Sequence, residues 1–386
     1  MSKEYVTLKE IYQQPEMWEK TFEIIKRQKE KIDDFINFSE KKIKVIFTGG
    51  GTSNYIGDVI ANYLNKTSYG KFEFYSYPSP SIMSNPGDYL IDEPTLLVNF
   101  ARSGNSPESL ASVNLANQLI SDIRHLFITC AKEGNLAKDS KNEENAYAVI
   151  LDDRTNDKGF AMTSSATSML LAALIIFDKD FNERILGEII NLGNKSLSYN
   201  EIIENLVKED YNRVVYLGSG ALSYMSAEAS LKILELTAGK IVTLHDSSAG
   251  FRHGPKSFLD KKTIVFNYIS NDDYTSKYDI DIINEISSEK IVRKIVGIGS
   301  SRFKESYFSF DIEKSIPDAY LSIVYLILGQ LFAYKTAIKI DNDVDNPSES
   351  GTVNRVVKGV IVHSFKYWGM SKYAFRKRFN IYWTKF

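Results

Sequence analysis

The feature that most constrains this chain is that part of it occurs twice. Residues 44–56, KVIFTGGGTSNYI, lie over residues 213–225, RVVYLGSGALSYM, with Val45 on Val214, Phe47 on Tyr216, Gly49 on Gly218, Gly51 on Gly220 and Tyr55 on Tyr224. A second pair, TLLVNF at 95–100 and TIVFNY at 263–268, repeats at nearly the same offset. Such repetition means two copies of one folding unit. The length of 386 residues agrees, because a single core rarely serves more than ~250–300 residues.

Each copy alternates short β-branched runs with longer helical patterns, which implies parallel sheets flanked by helices, an α/β protein. Strands are expected near 43–48, 72–76, 95–100, 124–129 and 147–151, and again near 213–217, 240–244, 263–268 and 294–298. Helices are expected over 53–65, 107–120, 165–178, 223–238 and 318–338, with connecting helices within 179–210. The chain then divides into a helical segment at 1–40, a first domain at 41–190, a second at 191–362 and a basic, aromatic tail at 363–386. The most apolar stretch, 319–334, contains Gln330 and is shorter than the ~20 residues that span a bilayer, so it reads as a buried core or interface helix.

A net charge of −2 gives no overall pull toward nucleic acid or an anionic membrane. The one cysteine, Cys130, rules out an internal disulfide and a multi-cysteine metal site. The N-terminus shows no apolar run of a secretory kind, and a cytoplasmic location is expected.

The two copies diverge after the third strand. The first runs ARSGNSPES and the second ISNDDYTSK, so one loop is small and hydroxyl-rich and the other would repel an anion. Three loops of the first copy sit near strand ends and lead into helices: Gly49–Ser53, Arg102–Ser106 and Thr163–Ser165. Free N–H groups and the positive end of a helix attract phosphate there. Ser106-Pro107 has the form of an N-cap followed by proline at the first helical position. No Gly-Lys-Ser/Thr follows the glycines, and they do not fit the dinucleotide fingerprint. A compact phosphomonoester is therefore the expected ligand.

Glu228, Lys232 and Glu235 are spaced i, i+4, i+7 and share one helix face. Leu231, Ile233, Leu234 and Leu236 around them indicate burial on several sides, which is costly for charges without a task or good partners. His253 stands on a stiff loop between Gly250-Phe251-Arg252 and Gly254-Pro255, where an imidazole can deliver a proton to one place. A carboxylate, an imidazole and a phosphate cradle together describe aldose–ketose chemistry on a sugar phosphate.

The segments GGGTSNYIG, ARSGNSPES, MTSSATSML, GSGALSYMSAEASLKILELTAGK and GFRHGP resemble those of the tandem sugar-isomerase (SIS) domain proteins. With DNPSESGTVNRVV added, they most resemble the tagatose-6-phosphate ketose/aldose isomerase, or galactosamine-6-phosphate deaminase/isomerase, branch. A more distant likeness is to the isomerase half of glucosamine-6-phosphate synthase.

The resemblance covers about residues 5–362 and implies two flavodoxin-like three-layer sandwiches without metal or cofactor. It implies that Gly51, Thr52, Ser53, Ser103 and Ser106 hold the phosphate and that Ser164 and Ser165 line the sugar. Glu235 would move a proton between C1 and C2, with Lys232 and Glu228 as its helix neighbours. His253 would open the sugar ring from a partner chain, which implies at least a homodimer. Arg355 and Lys358 lie in the segment that completes such sites, and Ala101 replaces a serine frequent in the synthase relatives. The implied reaction converts galactosamine 6-phosphate into tagatose 6-phosphate and ammonia. Plain tagatose-6-phosphate isomerisation and a non-catalytic sugar-phosphate regulator stay open, as does the C4 configuration of the sugar.

Overall fold

Seven consecutive buried residues, Ile43–Gly49, form the first strand, β1. Burial without alternation marks a strand covered on both faces, and the one charged residue in it, Lys44, reaches Glu93 Oε1 at 3.3 Å. The computed structural model describes residues 5–67, 70–357 and 359–365. Helices α1 (Val6–Tyr12) and α2 (Gln14–Ile36) precede β1. The first copy continues through α3 (Thr52–Thr67), β2 (Phe72–Pro78), α4 (Ser79–Ser84), α5 (Pro86–Tyr89), β3 (Thr95–Ala101) and α6 (Pro107–Leu119). It closes with β4 (Ile123–Thr129), α7 (Asn135–Asp139), β5 (Ala146–Ile150) and α8 (Ser164–Phe177). Helices α9 (Glu183–Ser198) and α10 (Asn200–Val207) lead to the second copy. There β6 (Arg213–Gly218), α11 (Ala221–Leu236), β7 (Val242–Ser247), β8 (Thr263–Tyr268) and α12 (Thr275–Glu289) precede β9 (Lys294–Ser300), β10 (Ser306–Phe310) and α13 (Asp318–Lys339).

Both sheets have five parallel strands with the same winding. The first runs β2-β1-β3-β4-β5 and the second β7-β6-β8-β9-β10, the flavodoxin-like order in each. The equivalence reaches single residues. Gly51 and Gly220 both have positive φ, +57° and +55°, which turns the chain from strand into helix. A Cβ on Gly49 would stand 2.3 Å from Ser53 Cβ, and one on Gly218 would stand 2.8 Å from the backbone of Leu222, so close packing requires glycine at both. The expectation of two α/β copies holds.

One apolar core runs through both units, from Phe47, Phe74 and Phe100 to Phe266 and Phe332. Equivalent helices α3 and α11 pack on each other, and α13 packs on α11, α9 and α10. Helix α13 is long and apolar enough to cross a membrane, yet 89% of its most apolar window is buried inside the protein. Its apolar character therefore serves packing. Trp18 of α2 is fully buried beside α8, and its Nε1 donates to Thr167 Oγ1 at 3.0 Å.

The structure adds elements that periodicity did not reveal. The fifth strand of the second sheet, β10, is a short Ser/aromatic alternation inside a polar stretch. Strand β7 starts and ends later than expected, because its polar end, His245–Ser247, still pairs with Tyr216–Gly218 of β6. Helix α12 grows out of the acidic loop after β8. Helix α9 runs through residues 190–191, where the sequence division placed a domain boundary. Most of the basic tail, residues 366–386, lies outside the described residues, as does Lys358.

Candidate active site

Helix α11 presents Glu228, Lys232 and Glu235 on one face, as their spacing requires. Lys232 is fully buried and lies 3.3 Å from Glu228 Oε1, while its Nζ also donates to Glu235. The same ammonium donates to Thr52 Oγ1 at 3.1 Å. Thr52 opens α3 in the first copy, so one lysine ties the acid–base helix of one domain to the glycine-rich turn of the other. Burial pushes the Glu228 carboxyl up to about 7; the Lys232 ammonium opposes this and Glu235 adds to it. Burial alone would lower the Lys232 ammonium, but the two flanking carboxylates outweigh it and hold the group above its ordinary value.

Only Glu235 of the three reaches the surface, with a side chain 23% exposed. It opens onto a cleft of about 580 Å³, lined also by Phe160, Lys240, Asn342, Ser348 and Thr352. Lys240 Nζ donates to Asn342 Oδ1 at 3.0 Å at its edge. A carboxylate oriented by a buried ammonium and facing an open cleft can exchange a proton with a bound molecule.

The turn at Gly51 leaves Thr52 and Ser53 as the first residues of α3, at the positive end of the helix, with Ser53 N donating back to Gly50 O at 3.2 Å. Strands β1 and β3 are neighbours, so the loop after β3 opens beside this turn. In that loop Ser106 is the N-cap of α6: its Oγ accepts from Ser109 N at 3.3 Å and donates to Ser109 Oγ at 2.8 Å. Ser103 Oγ accepts from Asn105 N at 3.3 Å. The sheet thus brings Gly51, Thr52, Ser53, Ser103 and Ser106 to one end, and Lys232 carries the first group toward Glu235.

Ser164 and Ser165 are placed differently from the expectation that they line a sugar: both are fully buried. The Asp157 carboxylate occupies their loop, accepting from Thr163 N at 2.7 Å, Ser164 N at 3.1 Å, Ser165 N at 2.9 Å and Ser165 Oγ at 2.5 Å. Ser164 Oγ donates to Glu10 O at 2.6 Å. The third loop is therefore a helix N-terminus closed by the chain's own anion.

Arg355 packs against the same turn, its Nη2 donating to Asn156 Oδ1 at 3.0 Å and its Nε to Asp157 O at 2.9 Å. His253 is exposed, beyond the edge strand β7, and its N–H bonds Gly250 O at 2.9 Å. Arg252 beside it donates to Glu285 at 2.7 Å.

One residue of the site was not singled out from the sequence. Arg102, adjoining Ser103, is only 8% exposed and donates to Phe160 O at 2.9 Å and Arg355 O at 2.7 Å. It laces the β3–α6 loop to the C-terminal segment beside the cleft. Burial and the nearby Arg355 lower its guanidinium from the ordinary value. An arginine within a run of small residues was the available signal.

Two parallel α/β copies with one hydroxyl-rich strand-to-helix cradle define a SIS-domain protein, and the SIS domain model matches residues 37–177. The chain belongs to the family of the D-galactosamine-6-phosphate deaminases AgaS. It is 37% identical to that protein of Escherichia coli O157:H7, over 93% of this chain and 96% of the relative. With its counterpart in Shewanella sp. (strain ANA-3) it shares 38% identity over 93% and 92% of the two chains. The crystal structure of tagatose-6-phosphate ketose/aldose isomerase from Escherichia coli superposes with a TM-score of 0.86 at 33% identity, covering 94% of this chain and 98% of that one.

Proposed function

We propose that the chain is a sugar-phosphate isomerase/deaminase that converts galactosamine 6-phosphate into tagatose 6-phosphate and ammonia. The observation that carries this reading is the Lys232 bridge: the buried ammonium contacts Thr52 at the cradle and Glu235 at the cleft. Phosphate and reacting carbons of one six-carbon sugar would then be held between the two domains.

In this reading the phosphoryl group sits on Gly51, Thr52, Ser53, Ser103 and Ser106. His253 moves the proton that opens the pyranose. Glu235 takes the C2 proton of the open-chain aldose and returns a proton to C1, leaving a C2 imine and a C1 hydroxyl. Water adds to the imine carbon, the C–N bond breaks, and ammonia leaves with a ketone at C2. Lys232 holds Glu235 in place, and Glu228 balances the ammonium from the buried side. Arg355 would belong to a segment that covers the sugar. Exposure of His253 at the edge of the second domain supports its reaching into the site of a second copy, which makes the functional unit at least a homodimer. A phosphorylated sugar is charged and does not cross a bilayer unaided, which supports a cytoplasmic enzyme.

The test is to incubate purified protein with galactosamine 6-phosphate and follow free ammonia and tagatose 6-phosphate together. Equal release of both is expected. Interconversion of tagatose 6-phosphate with an aldose phosphate, without ammonia, would make it a plain isomerase, and binding with no turnover would make it a regulator. Glu235→Gln should lower kcat by at least about 10²-fold while sugar-phosphate binding persists; equal loss of both would remove Glu235 from the role of base.

A further inference from the structure

In the second copy a side chain of the chain itself gathers donors from the ends of three strands. Asp279 on α12 is fully buried. Its Oδ1 accepts from Ser219 Oγ at 2.6 Å, after β6, and from Ser248 Oγ at 2.5 Å, after β7. Its Oδ2 accepts from Ser270 N at 2.9 Å, after β8. Three donors from three strand ends converge on one carboxylate, and no lysine, arginine or histidine among the described residues pairs with it. Hydrogen-bond donors without a cation are how a strand-end cradle holds a bound oxyanion.

The sheet registers identify the matching positions in the first copy. Thr48 pairs with Tyr77 and Asn99, and Leu217 with Asp246 and Asn267. Asn99 therefore matches Asn267, and Ser79 matches Ser248, each serine lying two residues beyond its paired strand residue. Helices α6 and α12 start at Pro107 and Thr275, so their fifth residues, Ala111 and Asp279, also match.

In the second copy Asn267 Nδ2 donates to Ser248 Oγ and to Asp279 O, both at 3.4 Å. In the first copy, where alanine replaces the aspartate, Ser79 Oγ and both polar atoms of Asn99 are buried without a partner in the protein. Two of the three donor positions recur in the first copy, as Ser79 and the backbone N–H of Arg102, while Gly50 stands where Ser219 is; the carboxylate is present in the second copy alone.

We propose that the second SIS domain contains an oxyanion site at the ends of its strands and that Asp279 is the internal anion occupying it. Without that carboxylate, Ser219, Ser248 and the Ser270 amide would take a small free oxyanion such as inorganic phosphate or formate. Asp318 accepts from Ser270 Oγ at 2.5 Å and Asn271 N at 2.7 Å, closing the outer part of the same loop, so the freed site is small. Asp318 also faces Asp279 electrostatically and, after burial, helps to push its carboxyl up to about 6 against the pull of the three donors. The internal anion is thus charged above that pH.

The experiment counts inorganic phosphate bound per full-length chain by equilibrium dialysis at pH 7.5 and constant ionic strength. Asp279→Ala should bind one equivalent more than the wild type. Formate should raise its thermal midpoint above that in chloride, an increment absent from the wild type. Adding Ser248→Ala should weaken the extra equivalent about tenfold or more, the usual effect of losing a hydrogen bond to a charged group. A folded Asp279→Ala chain that binds no more phosphate than the wild type and gains nothing from formate overturns the proposal.

Should that variant not fold, refolding it in formate should restore a cooperative thermal transition that chloride at equal ionic strength does not restore, and no difference between the two salts would equally overturn the proposal. The count is a difference from wild type, so it is independent of the sugar-phosphate reaction: a wild type that binds no phosphate would defeat the proposed function and leave this comparison intact.

Discussion

Lys232 is the residue on which both copies depend. Its charge is removed from water and offset by Glu228 and Glu235, so taking it away strands a carboxylate in the interior. Lys232→Met should cost about 3–5 kcal/mol at pH 8. The cost should be smaller at pH 6, because Glu228, already pushed up to about 7, takes a proton once the ammonium is gone. Urea unfolding at the two pH values measures the difference, and an equal cost at both would show that the pair carries no such coupling.

Glu10 offers a second test. Its carboxyl accepts from Gly159 N at 3.2 Å and also from Lys158 N. Burial first, then Asp157, pushes it up to about 7 against those two donors. The folded chain therefore holds this proton more tightly than the unfolded chain. The stability it contributes is complete below about 4.5 and is lost as pH rises through about 7. Glu10→Gln should flatten the fall in thermal midpoint between pH 5 and pH 8; an unchanged slope would assign that fall to other groups.

At the scale of elements, packing between helices sets what α9 and α2 tolerate. A Cβ on Gly193 of α9 would lie 2.5 Å from the Trp18 ring of α2. The indole cannot retreat, since it is fully buried and bonded to Thr167. Gly193→Ala should therefore destabilise the chain by about 1–3 kcal/mol, the usual cost of overpacking. Unfolding midpoints report it, and a neutral result would mean that α9 shifts freely. The same scale explains why Ser164 and Ser165 differ from expectation. A helix N-terminus attracts anions whatever their source, and Asp157, only a few residues upstream, reaches this one first. Local sequence shows the attraction and leaves open which anion wins.

For the whole molecule the decisive question is how copies of the chain share a site. If His253 acts across a subunit interface, Glu235→Gln and His253→Ala chains mixed during refolding should form heterodimers with one intact site. Such a mixture should recover about one quarter of wild-type activity, from two inactive parents, by random pairing in a two-fold dimer. No recovery, with heterodimers present, would place His253 in its own chain's site.

Much of this protein was settled along the chain. The repeated Gly-x-Gly turns, the apolar strands and the i, i+4, i+7 charges are local patterns, and backbone sterics and helical periodicity determine them within a few residues. They were sufficient for two parallel α/β copies, for the glycine-rich turn into a helix at Gly51–Ser53 and for the shared helix face of Glu228, Lys232 and Glu235. Contacts between distant segments were decided only by the tertiary structure. Lys232 and Thr52 meet across 180 positions, and Arg102 and Arg355 across 253. Asp157 and Asp279 fill two other anion-attracting loops, because which donors converge on a carboxylate depends on how strands and helices pack. The sequence therefore determined which chemical groups are available, and only the fold decided which of them remain open to a ligand.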